Sequence, residues 1–463
     1  MTVGRNLPLP LAAALLAFAA LAFTQAIFND GDTYWHVVAG GAMLDRHAIL
    51  YRDPFSYTFN GAPWQAHEWL SEIFMALAYR AGGWGGVALL SAGAFALTAG
   101  LLCWHLGRWL APSAQAVVVV LALACMAGSL LARPHLLALP LLEVWVFGLA
   151  SARSEHRAPH WSLWPAMTLW ANMHGGFAFG FLMLALFGLE ALIEEPDKRK
   201  TLISWSVFGI GAVLAALLTP HFVQGLLFPL HLTSMSALGN VGEWAPTSFA
   251  GLEPFEVAVL AGLYFLLSRG VKLPVMRIVT VLVLLHLALT HQRHQMVFAA
   301  AVPLILAEPV ARALGMRAQM WRPRLGWIVP ALVLAVAIGA LRLGVDVPRG
   351  GRLVTPEAAL AHVPDALKAQ PVLNDYGFGG YLIFEGVRPF IDSRAELYGD
   401  AFLGNYAKII SPDPKALAAT IARYRIGWSI FPPTSPVVAM LDRTPGWHRV
   451  YGDDVAVVQT RNH

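Results

Sequence analysis

Long apolar runs limit this chain more than any other feature of its sequence. About eleven segments approach the roughly 20 mostly apolar residues that a bilayer span requires. They lie near 7–28, 84–106, 114–132, 135–151, 161–173, 174–193, 201–218, 256–268, 277–290, 295–312 and 326–343. Of these, 161–173 and 256–268 are short, so a re-entrant pair can stand in place of two spans. Only 13% of the 463 residues are charged, against roughly 25% in soluble domains. The expected fold is mainly α, a polytopic transmembrane bundle.

The net charge of +4 does not indicate a nucleic-acid partner, because the cations are distributed by loop. Arg5, Arg108, Arg153, Arg157, Lys198, Arg199, Lys200, Arg269, Lys272, Arg277, Arg312, Arg317, Arg322 and Arg324 fall in alternate loops. The intervening loops hold Arg46, Arg52, Arg133 and Arg293, with Arg80 at a boundary. Basic residues mark the cytoplasmic side, which places the N-terminus inside and the loops richest in polar motifs outside. The first apolar segment exceeds the 7–15 residues of a signal-peptide core and reads as an uncleaved span. Cys103 and Cys125, the only cysteines, lie within spans, so neither a disulfide framework nor a cysteine metal site is expected. The chain has no Asn-x-Ser/Thr sequon and is Ala/Arg-rich, which fits a bacterial inner membrane.

Two regions interrupt the apolar pattern. Residues 29–83 form a long outer loop. Within it, Trp35, Val38, Ala39 and Ala42 share one side at helical spacing, predicting an amphipathic interfacial helix over 32–47. A second helix begins near 66, and the di-glycines at 82–83 and 85–86 separate it from the next span. From 345 to 463 the composition becomes that of a soluble domain. There 371–375, 381–385, 388–392, 427–431 and 454–460 read as strands, with helices over 356–367 and 414–425, giving a small extracytoplasmic α/β domain. The expected domains are therefore 1–344 and 345–463.

Polar residues crowd the predicted outer face: Asp30, Asp32, His36, Asp53, His67, Glu68, Arg133, His135, Asn172, His174, His221, Glu243, Arg293 and His294. Any one of them alone is an interfacial side chain that snorkels into water. Their gathering on one face predicts a shared polar cavity. Asp30 and Asp32 follow the first span directly, where partial desolvation suits a carboxylate to act as a base. Asp32 is also placed to cap the interfacial helix. His36, four residues on, shares its face and has three open roles: bonding that carboxylate, joining it at a cation, or facing headgroups. No H-E-x-x-H motif supports a zinc site. Glu243 and Trp244 sit on a loop over 220–255 suited to cover the cavity. The glycines of 375-DYGFGGYL-382 lack a phosphate-loop pattern and read as strand-turn-strand.

The aspartate motif in the first outer loop, with the architecture of the whole chain, resembles the GT-C superfamily of membrane glycosyltransferases, and the phrases 32-DTYWHVVAG-40, 52-RDPFSYT-58, 61-GAPWQAHEWLSEI-73 and 374-NDYGFGGYL-382 are similar to a family of bacterial membrane proteins placed near it. That resemblance implies an integral-membrane enzyme moving a sugar from a polyprenyl-phosphate donor to an extracytoplasmic glycan, lipid or protein acceptor, with inversion. It implies that Asp32, and with it Asp30, deprotonates or orients the acceptor. Asp30-Gly31-Asp32 also reads as D-x-D, which holds a divalent cation (Mg or Mn) in some members. The second acid of the family has candidates in Asp53, Glu68 and Glu243, while His36, His67, His174 and His221 are candidates for substrate contact. Arg133, Arg293 and His294 are expected at the donor phosphate, since guanidinium grips phosphate through two parallel hydrogen bonds. Aromatic residues near Asp392 and Arg394 are placed to meet a saccharide acceptor. The rival readings are a transporter or flippase for a lipid-linked saccharide, and an accessory protein working with a partner enzyme. Transporters concentrate ionisable groups at mid-membrane within repeats, and this chain shows neither.

Overall fold

The computed structural model describes residues 8–236, 239, 242–316, 325–346 and 353–461. Thirteen helices precede the C-terminal region among these residues: α1 Leu9–Ala22, α2 Gly31–Arg46, α3 Trp69–Leu106, α4 Pro112–Ala127, α5 Pro134–Ser154, α6 Trp164–Met173, α7 Phe177–Glu194, α8 Lys198–Ala216, α9 Phe222–Thr233, α10 Pro254–Ser268, α11 Val275–Thr290, α12 Gln295–Ala313 and α13 Ile328–Gly344. Four stretches among the described residues are long and apolar enough to cross a membrane: Trp69–Leu106, Pro134–Ser154, Phe177–Glu194 and Gln292–Ala313. Most of the other expected spans are shorter apolar helices, several opened by a proline in the first turn. The 10-residue α6, at 1.5 Å per residue, reaches only half of a hydrocarbon core of about 30 Å. Helix α9 was not expected at all; it forms inside the segment read as a covering loop.

Outward-facing Val117, Val120, Leu202, Val207, Ile210, Leu332 and Val336 are each more than half exposed. Such a surface is a liability in water and neutral in lipid, so the chain is a multi-pass membrane protein. Arg153 and Arg277, read as loop charges, are instead buried between helices. Both face Glu190, with Arg277 Nε 3.0 Å and Arg153 Nε 3.6 Å from it. A buried guanidinium persists only with a paired carboxylate, and α7 supplies it. Arg5, Arg317, Arg322 and Arg324 lie outside the described residues.

The second interfacial helix and the span that follows run together as α3, with a break at Gly82 and Gly83, where Gly83 has φ +56°. That conformation is open to glycine at little cost. Helix α2 is not a surface helix. Residues Gly31 to Val37 are all buried, because α3 covers one side and the C-terminal region covers another.

The C-terminal region contains α14 Glu357–Ala361, α15 Asp365–Lys368, β1 Val372–Asn374, α16 Gly379–Phe384, α17 Ala395–Ile410, α18 Pro414–Tyr424, β2 Trp428–Phe431, α19 Pro436–Asp442, β3 Trp447–Gly452 and β4 Val457–Arg461. The sheet order is β1-β2-β4-β3, parallel at β1–β2 and antiparallel elsewhere. Two expected strands are absent. Residues 381–384 belong to α16, whose glycines bring it against α2: a Cβ at Gly380 would collide with the Gly31 carbonyl. Residues 388–392 make no ladder because the Asn374 side chain takes their place in the hydrogen bonding. Its Oδ1 accepts the Phe390 N–H at 2.8 Å and its Nδ2 donates to the Ile391 carbonyl at 2.8 Å. Strand β3 was not expected; it is built on mostly exposed side chains.

One apolar core joins the first loop to this region. Trp35, Ala39, Met43, Leu50 and Trp64 pack with Phe390, Ile391, Tyr398 and Phe431. Hydrogen bonds from Tyr57 to the Val372 carbonyl (2.9 Å) and from Thr58 to the Phe390 carbonyl (2.7 Å) fix the contact. The site lies along this seam.

Candidate active site

Asp30, not Asp32, caps α2. Its backbone is extended and its carboxylate accepts the Asp32 N–H at 2.9 Å. This leaves Asp32 in the first helical turn, where an anion is favoured by the helix dipole. Arg133 precedes Pro134 at the start of α5. Its Nη1 lies 3.0 Å from Asp30 Oδ2, and its Nη2 meets Asp32 Oδ2. One guanidinium therefore spans both acids. Trp35 Nε1 donates to Ser393 Oγ at 3.0 Å, tying the helix to the C-terminal region.

These groups border a cavity of about 310 Å3. Asp30, Asp32, Arg133 and Arg293 line it from the helical part, together with His36, His67, Glu68 and Trp244, while Tyr376, Gly377, Ser393 and Glu396 line it from the C-terminal region. Arg293 lies over the Trp244 ring, 4.5 Å from its centroid. The surface thus offers the guanidinium groups of Arg133 and Arg293 beside an acidic pair, with two further carboxylates, Glu68 among histidines and Glu396 from the C-terminal region.

Three imidazoles surround Glu68. His67 Nε2 lies 3.6 Å and His174 Nε2 3.5 Å from Oε1, and His36 Nε2 lies 3.6 Å from Oε2. Burial by itself would raise the Glu68 carboxyl, but the histidines, His67 foremost, hold it well below the usual carboxylate range. Burial would likewise lower His67, yet the adjacent Glu68 carboxylate keeps it above the ordinary imidazole value. Burial dominates at the other two: His36 is pushed well down, and His174 down to about 3. Glu68 thus favours the charged form of His67, while burial disfavours it at His36 and His174. His36 turns its Nδ1 to Glu72 at 3.1 Å. It therefore bonds Glu68 and Glu72 rather than the Asp32 carboxylate, and it is buried rather than turned to headgroups.

Other expectations are corrected. Asp53 does not line the cavity; its own loop and Arg394 occupy it. Its carboxylate accepts from Phe55 N (2.9 Å), Ser56 N (3.1 Å) and Arg394 Nη1 (2.8 Å). Asp392 and Arg394 are buried partners, with Arg394 Nη2 2.7 Å from Asp392 Oδ2, while of the aromatic residues beside them Trp35 and Tyr376 line the cavity. His294 stands behind Arg293, its ring against Phe179 and its Nδ1 3.2 Å from the Leu287 carbonyl. His221 borders a separate, water-sized space with His67 and Thr219. Asn172 is occupied in joining helices, accepting from Trp69 Nε1 at 2.8 Å. His135 bonds the Ser129 carbonyl at 2.9 Å. The Glu243 side chain lies outside the described residues.

Glu72 and Glu396 went unremarked in the sequence. Glu72 had a usable signal, being one helical turn beyond Glu68 on α3. Glu396 had none: it reaches the cavity only because the C-terminal region docks, where it accepts from Trp64 Nε1 at 3.0 Å.

Two carboxylates suit Mg or Mn as ligands, so the fit of such a cation at Asp30 and Asp32 can be judged from their present partners. Arg133 already takes an oxygen from each, and among the described residues no group of three or more His, Cys, Asp or Glu side chains is arranged to hold a metal ion. The residues as placed do not fit a resident cation.

No protein-family model and no curated protein matches the sequence. Solved structures do. The oligosaccharyltransferase AglB from Archaeoglobus fulgidus, in complex with an inhibitory peptide and a dolichol-phosphate, superposes with TM-score 0.55 at 11% identity, covering 91% of this chain and 69% of its own. ArnT from Cupriavidus metallidurans bound to undecaprenyl phosphate gives TM-score 0.52 at 14% identity, covering 97% of both chains. Its apo state gives 0.53 at 13%, again covering 97% of both. The resemblance noted in the architecture is thus matched in three dimensions: this chain has the fold of the GT-C glycosyltransferases.

Proposed function

We propose that this protein transfers a sugar from a polyprenyl-phosphate donor to an acceptor at the membrane face that carries the C-terminal region. The observation that carries the reading is the Arg133 guanidinium held between Asp30 and Asp32 at the wall of a cavity that Arg293 also lines. The fold supports it, since the AglB and ArnT structures are described with dolichol-phosphate and undecaprenyl phosphate bound. The distribution of cations in the sequence supports a periplasmic position for that face, a cytoplasmic N-terminus and a bacterial inner membrane.

The chemistry proposed is a single inverting displacement. A nucleophilic acceptor atom, such as a hydroxyl oxygen, bonds to the anomeric carbon as the bond from that carbon to the phosphate oxygen breaks. Polyprenyl phosphate leaves with the electron pair, and Asp32 takes the acceptor proton. Charge grows on the leaving phosphate, where Arg133 and Arg293 stabilise it without reorganising solvent. In the resting site Arg133 occupies the acids. A donor phosphate competes for that guanidinium, and Asp32 becomes available as a base when it wins. Asp30 holds Asp32 in place through the helix cap. Glu68, kept ionised by His67, is the second acid in this scheme and accepts sugar hydroxyls.

A radiolabelled-sugar transfer assay on purified protein tests the reading. Asp32→Asn, isosteric and unable to take the proton, is expected to lose about 100-fold or more of the rate while inserting normally. Full activity in that variant removes Asp32 as the base, and no transfer by the wild-type protein removes the enzyme.

A further inference from the structure

A second cavity, of about 240 Å3, opens in the C-terminal region between α17 and α18. Phe402, Tyr406 and Tyr424 give it an aromatic wall, and Asn405, Lys408 and Arg423 line it as well. No carboxylate is among its lining residues. Lys408 and Arg423 are exposed. The Arg423 guanidinium lies 5.3 Å from the Tyr424 ring centroid. Among the described residues, the side chains of Asn405 and Lys408 have no partner within the protein.

Each feature restricts the ligand. An aromatic wall accepts the C–H face of a sugar ring or another flat apolar group. An amide and two cations without an acid favour a ligand bearing negative charge. The volume is below the roughly 300–1,000 Å3 of pockets that enclose drug-sized molecules, so it accommodates about one ring. The cavity also adjoins the candidate active site. The Tyr406 hydroxyl accepts the Tyr376 N–H at 3.0 Å and donates to the Asn374 carbonyl at 3.1 Å, and Tyr376 lines the larger cavity. One hydrogen-bonded pair thus has a member in each space.

We infer that the cavity between α17 and α18 is a subsite for an anionic sugar residue of the acceptor, a ring carrying a carboxylate or phosphate. The assignment to the acceptor rests on the transferase reading; the binding chemistry does not. The subsite holds a glycan by a residue away from the reacting end, and so selects charged acceptors over neutral ones of the same length.

Calorimetric titration of the full-length protein in detergent tests this, with tetragalacturonate, neutral maltotetraose and inorganic phosphate as probes. Tetragalacturonate is expected to bind the wild type. It should bind Lys408→Gln/Arg423→Gln at least about tenfold more weakly, as expected for losing charge-assisted contacts. Both charges are exposed, so that variant should retain its melting temperature. Maltotetraose should bind at least about tenfold more weakly than tetragalacturonate, as should phosphate, which lacks a ring. Absent binding of tetragalacturonate, equal binding of maltotetraose or phosphate, or binding unchanged in the double variant each overturns the subsite. Binding without transfer by the wild type removes the transferase reading and leaves the subsite standing; transfer without binding does the reverse.

Discussion

The Arg394 guanidinium lies 2.8 Å from the Asp53 carboxylate, 341 positions away along the chain, and neither side chain is exposed to solvent. Asp392 takes two further N–H groups of the same guanidinium, at 2.8 and 2.7 Å, and Tyr398 donates to Asp392 at 2.7 Å. The cluster fastens the first loop to the C-terminal region beside the candidate active site. Removing the cation strands two buried acids, so Arg394→Met is expected to cost about 3–5 kcal/mol. Denaturant unfolding in detergent measures it. The double variant Arg394→Met/Asp53→Asn should recover part of the loss, whereas simple additivity would show that the pair is not coupled.

Arg133 stands where the acidic pair would otherwise hold a cation. Mn2+ electron paramagnetic resonance should therefore report no bound ion in the wild type at micromolar metal. Arg133→Gln, which opens both carboxylates, should create a site. An equal Mn2+ signal in both proteins would show that the guanidinium yields to metal. The same variant should lose about tenfold or more in affinity for a polyprenyl phosphate, by removal of a bidentate contact to an anion.

Docking of the C-terminal region depends on bare backbone. A Cβ at Gly380 meets the Gly31 carbonyl, and one at Gly31 lies 2.5 Å from the Gly377 carbonyl. Neither obstacle is a flexible side chain. Gly380→Ala is expected to push α16 off α2, opening protease sites in the C-terminal region and lowering transfer by about tenfold or more, since a 1 Å displacement can cost 100-fold. Gly404→Ala, where nothing lies within 4 Å, is the control and should match the wild type.

The Glu68 cluster predicts loss of stability on both sides of neutrality. His67 has a folded pKa above its unfolded value, so its contribution is complete below about pH 6.5 and is lost as pH rises through the folded value. His174, depressed to about 3, acts in the opposite sense. Below about pH 6.5 the unfolded chain binds its proton and the folded chain does not, so stability falls as pH falls; His36, also depressed, adds to this. Melting temperature against pH should show a maximum near neutral. His67→Gln should flatten its alkaline side and His174→Gln its acid side, each by a few degrees; identical profiles in all three proteins would contradict the assignment.

Much of this architecture is written in local pattern. Runs of apolar residues specify membrane helices because lipid leaves the backbone no other partner, and Asp30-Gly31-Asp32 after the first run already marks a polar helix start. The basic loops were legible for the same reason, except at Arg153 and Arg277, where the Glu190 partner lies on another helix. Ambiguity began where a short apolar run could be either element, as in 381–384, which only contact with Gly31 settles as a helix.

The site divides in the same way. The sequence by itself marked the candidates: the early acids Asp30 and Asp32, the outer arginines Arg133 and Arg293, and a set of scattered histidines and carboxylates. It could not apportion them, because a carboxylate acquires its role from the cation nearest to it. Tertiary structure gave Asp53 to Arg394 and left Asp30 and Asp32 to Arg133. It also brought Glu396 to the cavity from the far end of the chain. Those pairings each bridge about a hundred residues or more, and the Coulomb and hydrogen-bond energies that select them fall off within a few ångströms of space, to which sequence separation is blind.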